Sequence, residues 1–149
     1  MVSAALLSAL LAIAPVAAAM AVPDERPPTL SGTYSSVCVH RDSLDLLGLE
    51  LSFTRSGDVT YVLMQPYEGE AGVPELLKVR ASGPRMFVHS ENAGDVLSLE
   101  VRDEGLVAVW LSGRVGASGE RREELVHARA VWNGEEPGYC GEDVEPGRH

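Results

Sequence analysis

From Ser31 onward, apolar side chains return at every second position in short runs separated by turn residues. Leu47, Leu49, Leu51 and Phe53 alternate with Gly48, Glu50, Ser52 and Thr54, the period of a strand with one buried face. Ser56-Gly57-Asp58 interrupts the run and Val59–Gln65 resumes it, which predicts a hairpin. A longer connection, Pro66–Pro74, follows. Glu75–Ala81 then sets Leu77, Val79 and Ala81 against Lys78 and Arg80, and Gly83-Pro84 turns the chain into Arg85–Ser90, where Met86 and Val88 oppose Arg85 and His89. After the turn Asn92–Asp95, Leu97, Leu99 and Val101 alternate with Ser98, Glu100 and Arg102, and Leu106–Leu111 is apolar on both faces.

Gly113–Gly119 is a Gly/Ser loop, and Glu123–Trp132 sets Val126, Ala128, Ala130 and Trp132 against His127 and Arg129. With Thr33–Val39 as the first, the count is eight strands. The only helical signal is Asp42–Leu47, capped by Asp42 or Ser43 and stopped at Gly48, and it is too short to matter. Consecutive strands with short connections predict an all-β fold: a small antiparallel eight-stranded meander barrel, whose closure removes exposed edges. A two-sheet β-sandwich is the alternative.

Residues Met1–Val22 carry no charged side chain, and Leu6–Val16 has the character of a signal-peptide core. Ala17-Ala18-Ala19 or Ala19-Met20-Ala21 supplies a cleavage site, although no Lys or Arg precedes the apolar run. The competing reading is a retained membrane anchor, since about 20 apolar residues span a bilayer; Pro15 and the run of small residues favour cleavage. The expected organisation is a signal peptide over 1–21, a disordered Pro-rich stub over 22–30, one barrel over 31–141 and a disordered tail over 142–149. The mature protein is expected to be secreted or periplasmic, without stable membrane insertion.

Export bears on the two cysteines, Cys38 and Cys140. In an oxidising compartment an even count means a bridge rather than metal ligands, and neither a C-x-x-C nor a zinc-finger spacing is present. A Cys38–Cys140 disulfide would staple the first and last strands of a barrel at its seam. It would close a loop of about 100 residues, worth on the order of 4.7 kcal/mol in the chain-entropy model.

The charge, 12 basic against 22 acidic residues for a net of −10, lies wholly after Ala21. It excludes a nucleic-acid surface, which needs clustered cations, and opposes docking on anionic lipid. It suits a basic protein partner. Length and composition, with 149 residues of which 45% are apolar, fit one globular domain.

Catalytic signatures are missing: there is no P-loop, G-x-S-x-G, H-E-x-x-H, EF-hand loop or G-x-G-x-x-G. Ser118 sits in a Gly/Ser loop and reads as a turn residue. His89 and His127 read as solvated, and His40 with Asp42 and Asp45 as a polar loop rather than a cation site. The acids Glu68, Glu70 and Glu75 and the pair Glu135-Glu136 read as a solvated rim, because a catalytic carboxylate needs a semi-buried setting. Trp110 and Trp132 read as core, in a barrel whose interior is filled. No catalytic residue, metal or cofactor is expected.

Binding is expected at Tyr67, Glu68 and Glu70 of the Pro66–Pro74 loop. Loops on a rigid scaffold often carry function, and Tyr is a favoured interface anchor.

Leu30-Ser31-Gly32-Thr33-Tyr34, opening the first of eight strands, resembles the start of calycin-type barrels, the lipocalin and avidin-like families. Lipocalins carry G-x-W there, and Tyr34 stands in place of the Trp. The resemblance implies a barrel and no particular ligand. Small periplasmic inhibitors of lysozyme share the size, export and fold class. Three functions stay open: a barrel binding a small ligand, a module binding a basic protein, and an enzyme without a recognisable motif.

Overall fold

The computed structural model describes residues 29–83, 85–111, 121–127, 131 and 134–141. The N-terminal apolar run with its cleavage site, the loop containing Ser118, Trp132 and the tail with His149 lie outside the described residues.

The strand segments are β1 (Gly32–Ser35), β2 (Cys38–Val39), β3 (Leu46–Ser56), β4 (Val59–Gly69), β5 (Glu75–Ser82), β6 (Arg85–Ser90), β7 (Gly94–Arg102), β8 (Gly105–Trp110) and β9 (Arg122–His127). From β3 to β9 each pairs antiparallel with its successor, β9 pairs with β1, and β1 pairs with β3. Because β1 and β2 lie end to end along β3, they fill one position, and the result is a closed eight-stranded antiparallel barrel. It is consistent with calycin-like architecture. Tyr34 turns inward, its ring edge-on to Phe53 at 5.7 Å and to His127 at 5.0 Å.

The expected first strand is thus broken, at Ser36-Val37. There β3 passes close beneath it through Gly48, whose φ is +126° and where a Cβ would come within 2.7 Å of the Ser36 carbonyl oxygen. No helix forms over Asp42–Leu47: residues 41–43 are a turn and β3 begins at Leu46. His40 already closes that turn, its N–H donating to the Asp45 carbonyl at 2.8 Å.

β4 runs further than the turn residues suggest. Pro66 pairs with Leu49 inside the β3–β4 hairpin, and β5 accompanies β4 only to Met64. The Leu49 N–H is taken by Ser36 Oγ, so at this rung β3 and β4 exchange no bonds; Pro66, which has no N–H to give, turns its backbone edge toward the returning turn, where its carbonyl accepts the Gly72 N–H.

Inside, Leu49, Leu51 and Phe53 of β3 meet Val62 and Met64 of β4, Leu77 of β5, Met86 and Val88 of β6, Leu97 and Leu99 of β7, Leu106 and Ala108 of β8 and Leu125 of β9. Each fully buried Leu, Val or Met contributes about 1.5–3 kcal/mol. Two phases differ from the simple alternation. A bulge between Val88 and His89 in the β6–β7 ladder lets Val96 and Leu97 both be buried. In β9 the faces are inverted: Leu125 is 1% exposed and points inward, whereas Val126 is 38% exposed and points out. The register decides this, since Leu125 opposes the inward Leu106.

The Cys38–Cys140 disulfide is present, with the Cα atoms 4.9 Å apart. It does not staple first strand to last. Cys140 lies beyond β9 in a C-terminal segment whose Tyr139 bridges Val39 in parallel, and the β1–β9 ladder makes the barrel closure.

Candidate functional site

The residues singled out on the Pro66–Pro74 connection do not share one exposed loop. Tyr67 belongs to β4 and is 3% exposed, so its ring is not available as a surface anchor. Glu68 follows it in the strand and therefore points to the opposite face. Glu70 is exposed in the bend after β4. The remaining turn folds back on the strand: the Gly72 N–H donates to the Pro66 carbonyl at 2.7 Å, and Gln65 Nε2 donates to the Gly72 carbonyl at 3.1 Å.

On the inner side of the barrel, Glu68 joins a cluster around Glu123. Ala108 opposes Glu123 and is core, so Glu123 and Arg121 share the inward parity of Leu125, and Trp110 shares that of Ala108. Ser36 Oγ donates to Glu123 Oε2 at 2.7 Å, Trp110 Nε1 donates to Oε1 at 3.0 Å, and Arg121 Nε lies 2.9 Å from Oε1. The Arg121 guanidinium covers the Trp110 ring at 5.5 Å and reaches Glu68 Oε1 at 3.2 Å. With both Glu123 oxygens occupied and the indole face covered, the cluster is a satisfied polar closure over the core.

The outer face of β1, β3 and β4 carries a second buried polar group. Glu50 is 1% exposed, between Ser35 on β1 and Gln65 on β4, and its Oε2 accepts the Val131 N–H at 2.8 Å. Its Oε1 has no hydrogen-bond partner. Burial pushes the carboxyl pKa above the usual carboxylate range, and the Val131 hydrogen bond pulls it back only in part. Tyr67 titrates above the ordinary phenol value, first through burial and then through the Glu50 charge. Val131 and the C-terminal segment therefore cover a face that alternation alone assigns to water.

Beside that cover lies a groove of about 320 Å³, between the β1–β2 break, the β9 edge and the C-terminal segment. Ser35, Val37, Glu124, Glu136, Val131 and Tyr139 line it, and among the described residues no Lys or Arg does. Glu124 and Glu136 are exposed. Arg41 stacks on the Tyr139 ring at 5.2 Å, at the end held by the disulfide.

The remaining polar candidates have local partners. His40 Nδ1 lies 3.2 Å from Ser43 Oγ, within its own turn. His89 Nδ1 lies 2.8 Å from Asp95 Oδ1 and Arg80 bonds both Asp95 oxygens, which holds the Asp95 carboxyl below its usual range, through Arg80 first. Among the described residues no group of three or more His, Cys, Asp or Glu side chains is arranged to hold a metal ion.

No protein-family model, curated protein or solved structure matches the chain.

Glu50, Glu123 and Glu124 escaped the sequence reading. For Glu123 and Glu124 the missed signal is phase: Leu125 is as good an inward residue as Val126, and choosing it turns Glu123 inward and Glu124 outward. Glu50 carries no such signal, because its burial depends on a segment 81 residues away.

Proposed function

We propose that this chain is an exported, non-enzymatic interaction module that captures a basic segment of a protein partner in the acidic groove beside β9. The carrying observation is that groove: about 320 Å³, walled by Glu124 and Glu136, with no basic residue in its described lining, on a chain of net charge −10. A basic partner is steered to such a surface over distances near the Debye length. The packed core and the occupied Glu123 cluster favour the outer surface over the barrel interior as the place of binding. We read the barrel as calycin-like, on Gly32-Thr33-Tyr34 and the closed eight-strand architecture, and the chain as secreted or periplasmic. The disulfide is compatible with an oxidising compartment, and the uncharged N-terminal run suits a signal peptide.

Calorimetric titration of the protein with a lysine-rich peptide, at low and high salt, tests the charge complementarity. Binding should weaken with salt and with Glu124→Gln and Glu136→Gln together. An affinity that neither change moves rejects the reading.

A further inference from the structure

The β8–β9 ladder determines which backbone groups of β9 face the groove. The Trp110 N–H donates to the Arg121 carbonyl at 2.9 Å. In an antiparallel ladder the hydrogen-bonded positions alternate, so Arg121, Glu123 and Leu125 turn their backbone toward β8. Arg122, Glu124 and Val126 turn theirs the other way, toward β1. β1 meets this edge at only two positions, Ser35 with Val126 and Tyr34 with His127. In register, the next hydrogen-bonded rung would join Val37 to Glu124.

That rung is not made. The Val37 N–H donates instead to Ser35 Oγ at 3.1 Å, and the Ser36 N–H to the Leu49 carbonyl at 2.9 Å. The chain then leaves for β2, where Val39 is held by Gly138 and Cys140 through bonds of 2.9 and 3.0 Å and by the disulfide. Main-chain pairing at the seam therefore stops at Ser35, and the Ser36–Glu123 side-chain bond crosses the resulting split on the inner face. Glu124 and Val37 line the two sides of the split, and the groove occupies it. An unpaired edge is a template for another strand, and natural barrels avoid leaving one.

We propose that the partner's basic segment enters this split in extended form and pairs with β9 as an added strand, exchanging main-chain hydrogen bonds with Glu124. The inference rests on the acidic-groove reading and adds the mode of binding and the form of the partner. Side chains alternate along an added strand, so every second one lies on the outer face with the Glu124 and Glu136 carboxylates. Lys or Arg at alternate positions, with small polar residues between, is the sequence such a site selects. The disulfide and the Val39 contacts hold β2 away from β9 and keep the split open.

The test compares two synthetic probes against the full chain: a Lys-Thr-Lys-Thr-Lys peptide, and the same peptide N-methylated along its backbone. Both carry the same charge, but the second cannot donate main-chain hydrogen bonds. Strand addition predicts that the N-methylated probe binds about tenfold more weakly, the loss of one or two main-chain bonds. It also predicts that hydrogen exchange at the Glu124 amide slows when the unmodified peptide binds. Equal affinities, or an unchanged Glu124 amide, overturn strand addition and leave the acidic-groove reading standing. If neither peptide binds, or binding ignores Glu124→Gln with Glu136→Gln, both readings fall.

Discussion

The amide of Val131 donates to Glu50 Oε2 at 2.8 Å, across 81 residues of chain, and this bond attaches the C-terminal segment to the outer face of the barrel. The other oxygen of the same carboxyl is buried without a partner. A buried polar atom left unsatisfied costs about 1–3 kcal/mol, and more when it is charged.

The consequence is a pH dependence of definite sign. Burial raises the Glu50 pKa in the folded state, so the native protein binds this proton more tightly than the unfolded chain. The stabilisation is complete below the unfolded pKa and is lost as the pH rises through the folded one. Denaturant titrations should show Glu50→Gln gaining on the parent as the pH rises, by about 1–3 kcal/mol at alkaline pH, and close to it in acid. Parallel pH profiles for the two proteins would contradict this.

The disulfide spans 102 positions, so opening it frees a long loop in the unfolded chain. Cys38→Ser should cost about 2–4 kcal/mol, and adding Cys140→Ser should cost little more, because either change opens the same loop. Thermal or guanidinium unfolding gives both numbers. Additive losses would mean that each cysteine acts separately. The β1–β9 ladder closes the barrel independently, so the reduced protein should keep its β-sheet circular dichroism.

Glu123 and Glu68 both bind Arg121, but in different surroundings. The Glu123 side chain is 10% exposed and holds three partners, whereas that of Glu68 is 75% exposed and has one. Glu123→Ala should destabilise by about 1.5–3 kcal/mol, leaving the Trp110 N–H without its acceptor and Arg121 with only the exposed Glu68, while Glu68→Ala should stay within about 1 kcal/mol. Comparable losses from chemical denaturation would remove Glu123 from the centre of the cluster.

Gly105 opens β8 directly against β9. A Cβ there would collide with the backbone carbonyl of Leu125, which the ladder holds in place. Gly105→Ala should lower stability by more than 2 kcal/mol, the scale of overpacking in a core, and loosen the β8–β9 pairing. Gly57→Ala makes a control, since a Cβ there meets nothing within 4 Å and only its positive φ of +60° opposes the change. Hydrogen exchange at Leu106 and Leu125 should quicken in the first variant alone.

The period-2 alternation determined the strands and, in most of them, the buried face, because on a closed barrel one side of each strand meets the core whatever its partners are. Leu49, Leu51, Met86 and Val88 are buried on the face their own neighbours indicate. Having only two cysteines likewise left a single possible intramolecular pairing. Tertiary structure decided whatever depended on register or on a distant cover. Whether Leu125 or Val126 turns inward is a one-residue choice that the pairing with Leu106 makes, and it carries Glu123 into the barrel and Glu124 to the groove. Glu50 and Tyr67 occupy outer-face positions where alternation implies water, but the Val131 segment covers Glu50 and leaves no solvent for it. The groove exists because Val37 bonds back to Ser35 rather than across to Glu124. Local sequence encodes which residues are apolar and how often they recur; burial from outside and the splitting of a seam are contacts between segments far apart in the chain.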